Sequence, residues 1–133
     1  MCKQFLFGVA LLICCTSCHR GNGPDAITHK RVREVGQQFY DYLLTGQYEE
    51  YVAHMADVDS MSDNMRRQLV VMMQEFAHHQ QQQHGGFLSA TVVSDSLSDE
   101  GYAHVFLDVL FADSTSERVG LPLRYQNGRW RLE

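Results

Sequence analysis

The histidines near the middle of the chain are the first residues whose type suggests chemistry. His78, His79 and His84 flank a run of four glutamines, and imidazoles are common ligands of zinc and nickel. No two of them have the i,i+4 spacing that would place both rings on one face of a helix. We therefore predict no metal site here. We interpret the run as the polar, solvated end of a helix, where a cationic imidazole suits the helix dipole.

The methionines offer a second kind of ligand, because thioether sulfur suits copper. Their spacing is also that of one stripe on an amphipathic helix, where methionine fills irregular gaps in a core. We predict core packing rather than a copper site, and no cofactor. The predicted stripe comprises Met61, Met65, Leu69, Met72, Met73 and Phe76.

Composition restricts the chemistry further. The chain has 133 residues, enough for one domain, and its formal charge is −5. An acidic chain with scattered arginines does not provide the basic stripe that nucleic-acid binding demands, so we exclude nucleic acid as a partner. The cysteines are Cys2, Cys14, Cys15 and Cys18. None follows Cys18, which excludes a disulfide, a thiolate nucleophile or a cysteine-ligated zinc in the rest of the chain.

The first eighteen residues resemble a bacterial lipoprotein signal. Lys3 precedes an uncharged run of eleven residues, Phe5 to Cys15, too short for the roughly 20 residues that span a bilayer. Thr16 and Ser17 then place small residues before Cys18, as in the bacterial lipobox. The resemblance implies cleavage before Cys18, a diacylglycerol thioether on its sulfur and an acylated amino group. An ordinary signal peptide with soluble release and a short uncleaved anchor remain the alternatives.

The residues after Cys18 indicate where such a lipoprotein would reside. His19 is not the aspartate associated with inner-membrane retention, which favours the outer membrane, and no acidic cluster for surface export follows. We expect the domain to face the periplasm. The predicted organisation is a signal peptide over residues 1–17, a lipidated tether over 18–25 and one domain over 26–133.

Apolar periodicity divides that domain into helices and then strands. Three helices are predicted, over about 24–45, 47–55 and from a cap at Ser60 or Ser62 to Gly85-Gly86. Four strands follow, over 87–93, 102–112, 118–126 and 129–132, with Asn127-Gly128 as a hairpin turn. Pro122 predicts an edge strand or a bulge. The fold class is α+β, with helices on one face of an antiparallel sheet.

This order of elements resembles the cone-shaped fold of nuclear transport factor 2, ketosteroid isomerase and scytalone dehydratase, and is similar to small bacterial lipoproteins with a lumazine-binding-like domain. The residues carrying the likeness are Phe39-x-x-x-Leu43-x-x-Gly46-Gln47-Tyr48-Glu49, the Gly85-Gly86 pair and the terminal segment Leu121 to Leu132. The resemblance implies three helices packed on a curved four-stranded antiparallel sheet. These are framework residues, so they bear on the fold and not on activity.

In enzymes of that superfamily a cavity between sheet and helices holds the substrate, and polar side chains there act as acids or bases. The residues nearest that role are Tyr40, Asp41, His104, Asp108 and Arg124. His104 and Asp108 share a strand face but lie about 13 Å apart at strand rise, too far for a direct pair. The sequence also lacks a Ser-His-Asp signature, a phosphate-binding loop and a dinucleotide fingerprint. We assign no catalytic residue.

We therefore favour a non-enzymatic, lipid-anchored binding or assembly module of the cell envelope. Phe106 and Leu110 lie among polar neighbours on the second strand, opposite its main apolar face. That surface is predicted to contact a second copy of the chain or a small apolar ligand. His104, Asp108, Arg124 and Tyr40 are the candidate polar contacts. The alternative function is an isomerase- or dehydratase-like enzyme that uses Asp108 or Tyr40 in the cone.

Overall fold

The computed structural model describes residues 24–133. The predicted signal peptide and the lipidation residue Cys18 lie outside the described residues, as does the tether up to residue 23.

Three helices form the first half of the described chain. Helix α1 buries one stripe, formed by Val32, Val35, Phe39 and Leu43 at steps of three and four residues. It ends before Gly46, whose φ of 71° is readily adopted only without a side chain. The helices are α1 (Pro24–Leu44), α2 (Tyr48–Ala53) and α3 (Asp63–His84), with a 3-10 turn (Val58–Ser60) before α3.

Helix α3 begins at a serine cap and ends at a pair of glycines, as its sequence predicted. The hydroxyl of Ser62 accepts a hydrogen bond from the Met65 amide at 3.2 Å, which selects Ser62 over Ser60 as the cap. At the other end Gly85 adopts a φ of 76°. The amides of Gly85 and Gly86 donate to the carbonyls of Gln81 and Gln80. These bonds satisfy carbonyl groups that would otherwise lack partners at the helix end.

Four antiparallel strands form one meandering sheet in the order β1-β2-β3-β4. The hairpin turn between the last two strands has Asn127 at φ 51° and Gly128 at φ 77°, as its sequence predicted. Two register shifts in β1 mark irregularities of the kind that bend a sheet. The strands are β1 (Phe87–Leu97), β2 (Tyr102–Phe111), β3 (Ser116–Gln126) and β4 (Arg129–Leu132).

The core lies between α1 and one face of the sheet, which we call the inner sheet face. Gly36 of α1 lies against Val105, since a Cβ built at position 36 would be 2.5 Å from a Val105 methyl carbon. The β2 residues on this face are all buried, as their alternation predicted: Ala103, Val105, Leu107, Val109 and Phe111. The predicted α+β fold, with three helices before a curved four-stranded antiparallel sheet, is confirmed.

The methionine stripe of α3 is not part of this core, so that prediction was wrong. No residue of α3 is buried, and Met65 and Met72 are 50% and 55% exposed. Leu69 and Met73 pack against the core only in part. The reason is geometric: α1 already covers the inner sheet face, and α3 packs beside α2 and the start of β1.

Pro122 does not lie in an edge strand, because β3 pairs with both β2 and β4. The Pro122 carbonyl accepts from Glu133 on the β4 side, and the last pair between these strands is Leu123 with Leu132. A residue's N–H and C=O point to the same side of a strand, so the missing N–H of Pro122 lies where β4 ends. Pro122 is therefore tolerated because its missing N–H would point to the side of β3 where pairing with β4 has ended.

The segment after α2 closes the sheet beside β4. Met55 forms a parallel bridge with Leu132, and the amide of Ala56 donates to the Leu132 carbonyl at 2.6 Å. The chain thus joins its helical half directly to its last strand.

Candidate functional site

The side of the sheet facing away from α1, which we call the outer sheet face, carries most of the predicted site residues. Gly36 contacts Val105, so the alternate β2 residues point to the other side. They are His104, which is exposed, and Phe106, Asp108 and Leu110, which are half-buried.

Phe106 lies at the middle of this face. Its ring lies over Gly120 of the neighbouring strand, where a Cβ would be 3.3 Å from the ring. The His104 imidazole is stacked against Phe106, with ring centroids 6.3 Å apart. The absence of a side chain at position 120 lets the phenyl ring lie close to the sheet.

Asp108 is held by its cross-strand neighbour rather than poised for acid or base chemistry. Arg118 donates from Nε to Oδ1 at 2.7 Å and from Nη2 to Oδ2 at 3.0 Å. These bonds lower the pKa of Asp108 and raise the pKa of Arg118. The pair lies at the solvent-accessible surface, so it contributes little to stability.

Arg124 is also on the outer sheet face and is likewise paired. Its guanidinium contacts the carboxylate of Asp57, and Gln126 donates to the same carboxylate at 2.6 Å. The Gln126 bond and then the Arg124 bond lower the pKa of Asp57. Arg124, His104 and Asp108 thus lie outside the space between sheet and helices, so the structure places none of these three candidates in the cone cavity.

Tyr40 lies on the opposite side of the sheet, in the core. Its ring packs edge-on against Phe87 at 6.4 Å. Burial, with a smaller contribution from Tyr51, raises the pKa of Tyr40 to about 12. The neighbouring Asp41 is exposed and accepts from Gln37. Tyr40 and Asp108 therefore do not converge, because the sheet separates them.

Asp95 forms a polar cluster that sequence reasoning missed. Its side chain is 1% exposed, and its two oxygens contact Nδ1 of His29 and Nε of Arg33. Burial alone would raise its pKa, but the bonds from His29 and Arg33 outweigh this, and the pKa is lowered. The cluster fixes the first turns of α1 on the end of β1. No local sequence signal connects residues so far apart.

A second cluster joins the end of α3 to the turn between β2 and β3. Nδ1 of His84 is 3.0 Å from Asp113 and 3.3 Å from the hydroxyl of Thr115. Because one nitrogen faces both groups, the ring cannot carry a proton between them. Hydrogen bonds from Thr115, and then from His84, lower the pKa of Asp113 to about 2. The imidazole also stacks on Phe111 at 4.5 Å, which is consistent with a structural role.

The histidine run forms no metal centre in the structure. Within residues 24–133, no three side chains of His, Cys, Asp or Glu are grouped so as to hold a metal ion.

A concavity on the described surface lies between α2 and α3, and we call it the α2–α3 groove. Its volume is about 580 Å³. Its apolar lining comprises Val52, Ala53, Val58, Val70 and Val71, and its polar lining comprises Glu49, Asp59, Asp63, Arg66, Arg67 and Gln74. The α3 side of the groove is formed by Val70 and Val71 with polar neighbours, and none of the residues of the predicted α3 stripe lines it.

Over residues 24–133, no helix combines the length and hydropathy needed to cross a bilayer.

Comparison with known proteins supports the fold. No protein-family model matches the chain, and no curated protein matches it in sequence. Among solved structures, the chain is similar to a protein of Campylobacter jejuni provisionally named a nuclear transport factor 2-like transpeptidase. The TM-score is 0.60 at 14% identity, over 74% of this chain and 94% of that one. The chain therefore has a nuclear transport factor 2-like fold, and the likeness at this identity extends no further.

Proposed function

We propose that the chain is a lipid-anchored, non-enzymatic binding module of the bacterial cell envelope. The support for anchoring is the short apolar run followed by Thr16, Ser17 and Cys18. Helix α1 begins at Pro24, six residues after Cys18. A lipid on Cys18 would thus hold the domain close to the bilayer, at the periplasmic side of the outer membrane.

Mass spectrometry of envelope protein tests the anchor. We expect an N-terminal peptide that begins at Cys18 and carries lipid, and we expect Cys18→Ser to release the protein from washed membranes. A mature chain that begins elsewhere, or one that washes free without detergent, would overturn the proposal.

The state of the aspartates supports the non-enzymatic part. Asp57, Asp95, Asp108 and Asp113 are each held by basic or hydroxyl partners, and each has a lowered pKa. A carboxyl group with a lowered pKa stays ionised at neutral pH and is a weak base, whereas acid–base catalysis favours a pKa near the working pH. These four carboxylates therefore suit structural pairs better than catalysis.

The name of the Campylobacter jejuni protein raises peptide transfer as a rival. A covalent transpeptidase needs an activated serine or cysteine. The cysteines all lie within the first eighteen residues. Two of the eight described serines, Ser62 and Ser98, use their hydroxyls to accept backbone amides, and within residues 24–133 no hydrogen bond joins a serine hydroxyl to a histidine that could activate it. This usage favours the binding module over the transfer enzyme.

We place the contact surface of the module on the outer sheet face, and its partner is a second copy of the chain. Small-molecule sites are concave, and Phe106 and Leu110 do not line the α2–α3 groove. A sheet face with central apolar residues and charged neighbours suits an isologous dimer, in which the same patch meets itself.

Sedimentation tests this contact. We expect the double variant Phe106→Ala, Leu110→Ala to sediment as a smaller species than the wild type, with an unchanged far-ultraviolet spectrum. The matched control is Met72→Ala, which removes an equally apolar side chain from the exposed surface of α3. Unchanged sedimentation of the double variant, or equal loss in the control, would contradict the proposed dimer.

A small apolar ligand is the second candidate, and the structure favours a different location for it. The α2–α3 groove has the volume and the apolar lining that such sites require.

A further inference from the structure

One end of the domain combines the exit of the chain toward Cys18 with exposed aromatic side chains. Thr28 in the first turns of α1 lines a cavity of about 380 Å³ together with Tyr125 and Trp130. The turn between β1 and β2, including Ser98 and Gly101, lines the same cavity. We call this region, with the adjacent Tyr102, the tether end.

The geometry of the tether end is fixed by hydrogen bonds. The amide of Tyr125 donates to the Gly101 carbonyl at 2.8 Å. His29 and Arg33 hold the start of α1 on Asp95, near the end of β1. The place where the chain continues toward Cys18 is thus held beside the aromatic residues.

The aromatic side chains of the tether end are of the type that bilayer interfaces favour. Tyr125 is 53% exposed, and Tyr102 is also exposed. The Tyr125 and Trp130 rings lie 5.3 Å apart. Tyrosine and tryptophan have an apolar body and a polar tip, so they concentrate at the depth of lipid head groups.

Basic side chains flank this aromatic group. Lys30 on α1 is 79% exposed, and Arg31 follows it. Arg129 and Arg131 stand on either side of Trp130 in β4. The acidic residues nearby are Glu34, which pairs with Lys30 and Arg31, and Asp99 and Glu100 in the β1–β2 turn. The basic groups complement anionic phospholipid head groups at short range.

The length of the tether limits the distance between the tether end and the membrane. Pro24 is the sixth residue after Cys18, and six residue steps at full extension span about 20 Å. By contrast, Phe111 lies nine residues along β2 from Tyr102, about 30 Å away at strand rise. Phe76 of α3 belongs to that distant end, because it packs on Phe87, which stacks on Phe111.

From this placement we propose that the tether end docks on the lipid surface, with Tyr102, Tyr125 and Trp130 at the level of the phospholipid head groups. The inference rests on the proposed lipidation of Cys18. The docked orientation turns the distant end away from the bilayer plane, where other envelope molecules can reach it.

The single tryptophan of the chain provides a direct test. The full lipidated protein is reconstituted into vesicles of zwitterionic and anionic phospholipid, with or without brominated acyl chains, which quench indole fluorescence at short range. We expect Trp130 emission to be quenched by the brominated lipid. The matched control is the variant Phe76→Trp, Trp130→Phe, whose indole lies at the distant end and should keep its emission.

The outcomes separate this inference from the proposed function. Lipid on Cys18, measured by mass spectrometry of the same preparation, together with a Trp130 emission no more quenched than the control, would overturn docking and leave the lipoprotein proposal intact. Absence of lipid on Cys18 would overturn both.

Discussion

Gly36 of α1 lies directly over Val105 of β2, so closely that a Cβ at position 36 would be 2.5 Å from Val105 Cγ1 and 2.9 Å from its Cβ. Val105 is fully buried and β-branched, so its side chain cannot rotate away. This contact sets the distance between helix and sheet, and it explains a glycine in the interior of a helix.

The substitution Gly36→Ala should therefore destabilise the protein. Alanine favours a helix by about 1 kcal/mol over glycine, but overpacking a tight core costs about 1–3 kcal/mol and occasionally more. We expect a lower free energy of unfolding in urea. In a Val105→Ala background the same substitution should cost less, because the clashing methyl groups are gone. A Gly36→Ala protein more stable than the wild type would contradict the contact.

The Asp95 cluster predicts a pH-dependent contribution to stability. Since the folded pKa of Asp95 lies below its ordinary value of 3.8, its contribution is complete above that value and is lost as the pH falls through the lowered one. We expect Asp95→Asn to cost about 1–3 kcal/mol at neutral pH, as for other hydrogen bonds to charged groups.

The measurement is urea unfolding of wild type and variant from pH 7 downward. The difference between them should stay constant to about pH 5 and shrink below about pH 4. Asp99→Asn, in the exposed β1–β2 turn, is the matched control and should change stability little. A difference that does not depend on pH would show that Asp95 is not an ionised partner.

Substitution of Gly128 in the hairpin turn tests how backbone conformation alone affects the free energy of unfolding. A Cβ there would meet nothing within 4 Å, but its φ is 77°. We expect Gly128→Ala to lower the free energy of unfolding by about 1–2 kcal/mol, the cost of left-handed backbone for an L-residue. Gly128→Asn should lose less, because asparagine tolerates this conformation. Equal stability of all three proteins in thermal unfolding would refute the turn geometry.

The exposed methionines of α3 should be nearly neutral for stability. We expect Met65→Gln and Met72→Gln to change the free energy of unfolding by less than about 0.5 kcal/mol each, as surface substitutions do. Leu107→Ala, in the true core, should cost about 2–5 kcal/mol. A large loss of stability in either methionine variant would indicate that the α3 methionines belong to the core, contrary to the structure.

The α2–α3 groove should bind an apolar probe. We expect N-phenyl-1-naphthylamine to gain fluorescence in the presence of the protein, and Val70→Asp to reduce that gain by placing a charge in the groove lining. Leu88→Asp, at an exposed leucine of β1 that does not line the groove, is the control and should leave it unchanged. Equal reduction in both variants would exclude the groove as the binding site.

Structural features that depend only on residues close together in the sequence could be predicted from it. The stripe of α1, the inner face of β2 and the Asn127-Gly128 turn all follow from local periodicity or backbone preference. The α3 stripe shows the limit of that reasoning. Periodicity shows that a helix has an apolar face, but only the tertiary arrangement decides whether another element covers it.

The candidate site shows a related limit. Strand alternation correctly placed His104 and Asp108 opposite the main apolar face of β2. It could not show that the helices pack on the other side, which removes both residues from any cone cavity. The pairing of Asp95 with His29 and Arg33 joins residues 66 and 62 positions apart, and no pattern in either segment encodes the match.

The bridge between Met55 and Leu132 has a consequence for how the chain reaches its native state. Met55 is synthesised 77 residues before Leu132. The contacts between them can therefore form only after residue 132 has left the ribosome. Contacts of such long range slow folding. The chain therefore completes its sheet only when its last strand is available, and a polypeptide truncated before β4 would lack the contact that joins its helical half to the sheet.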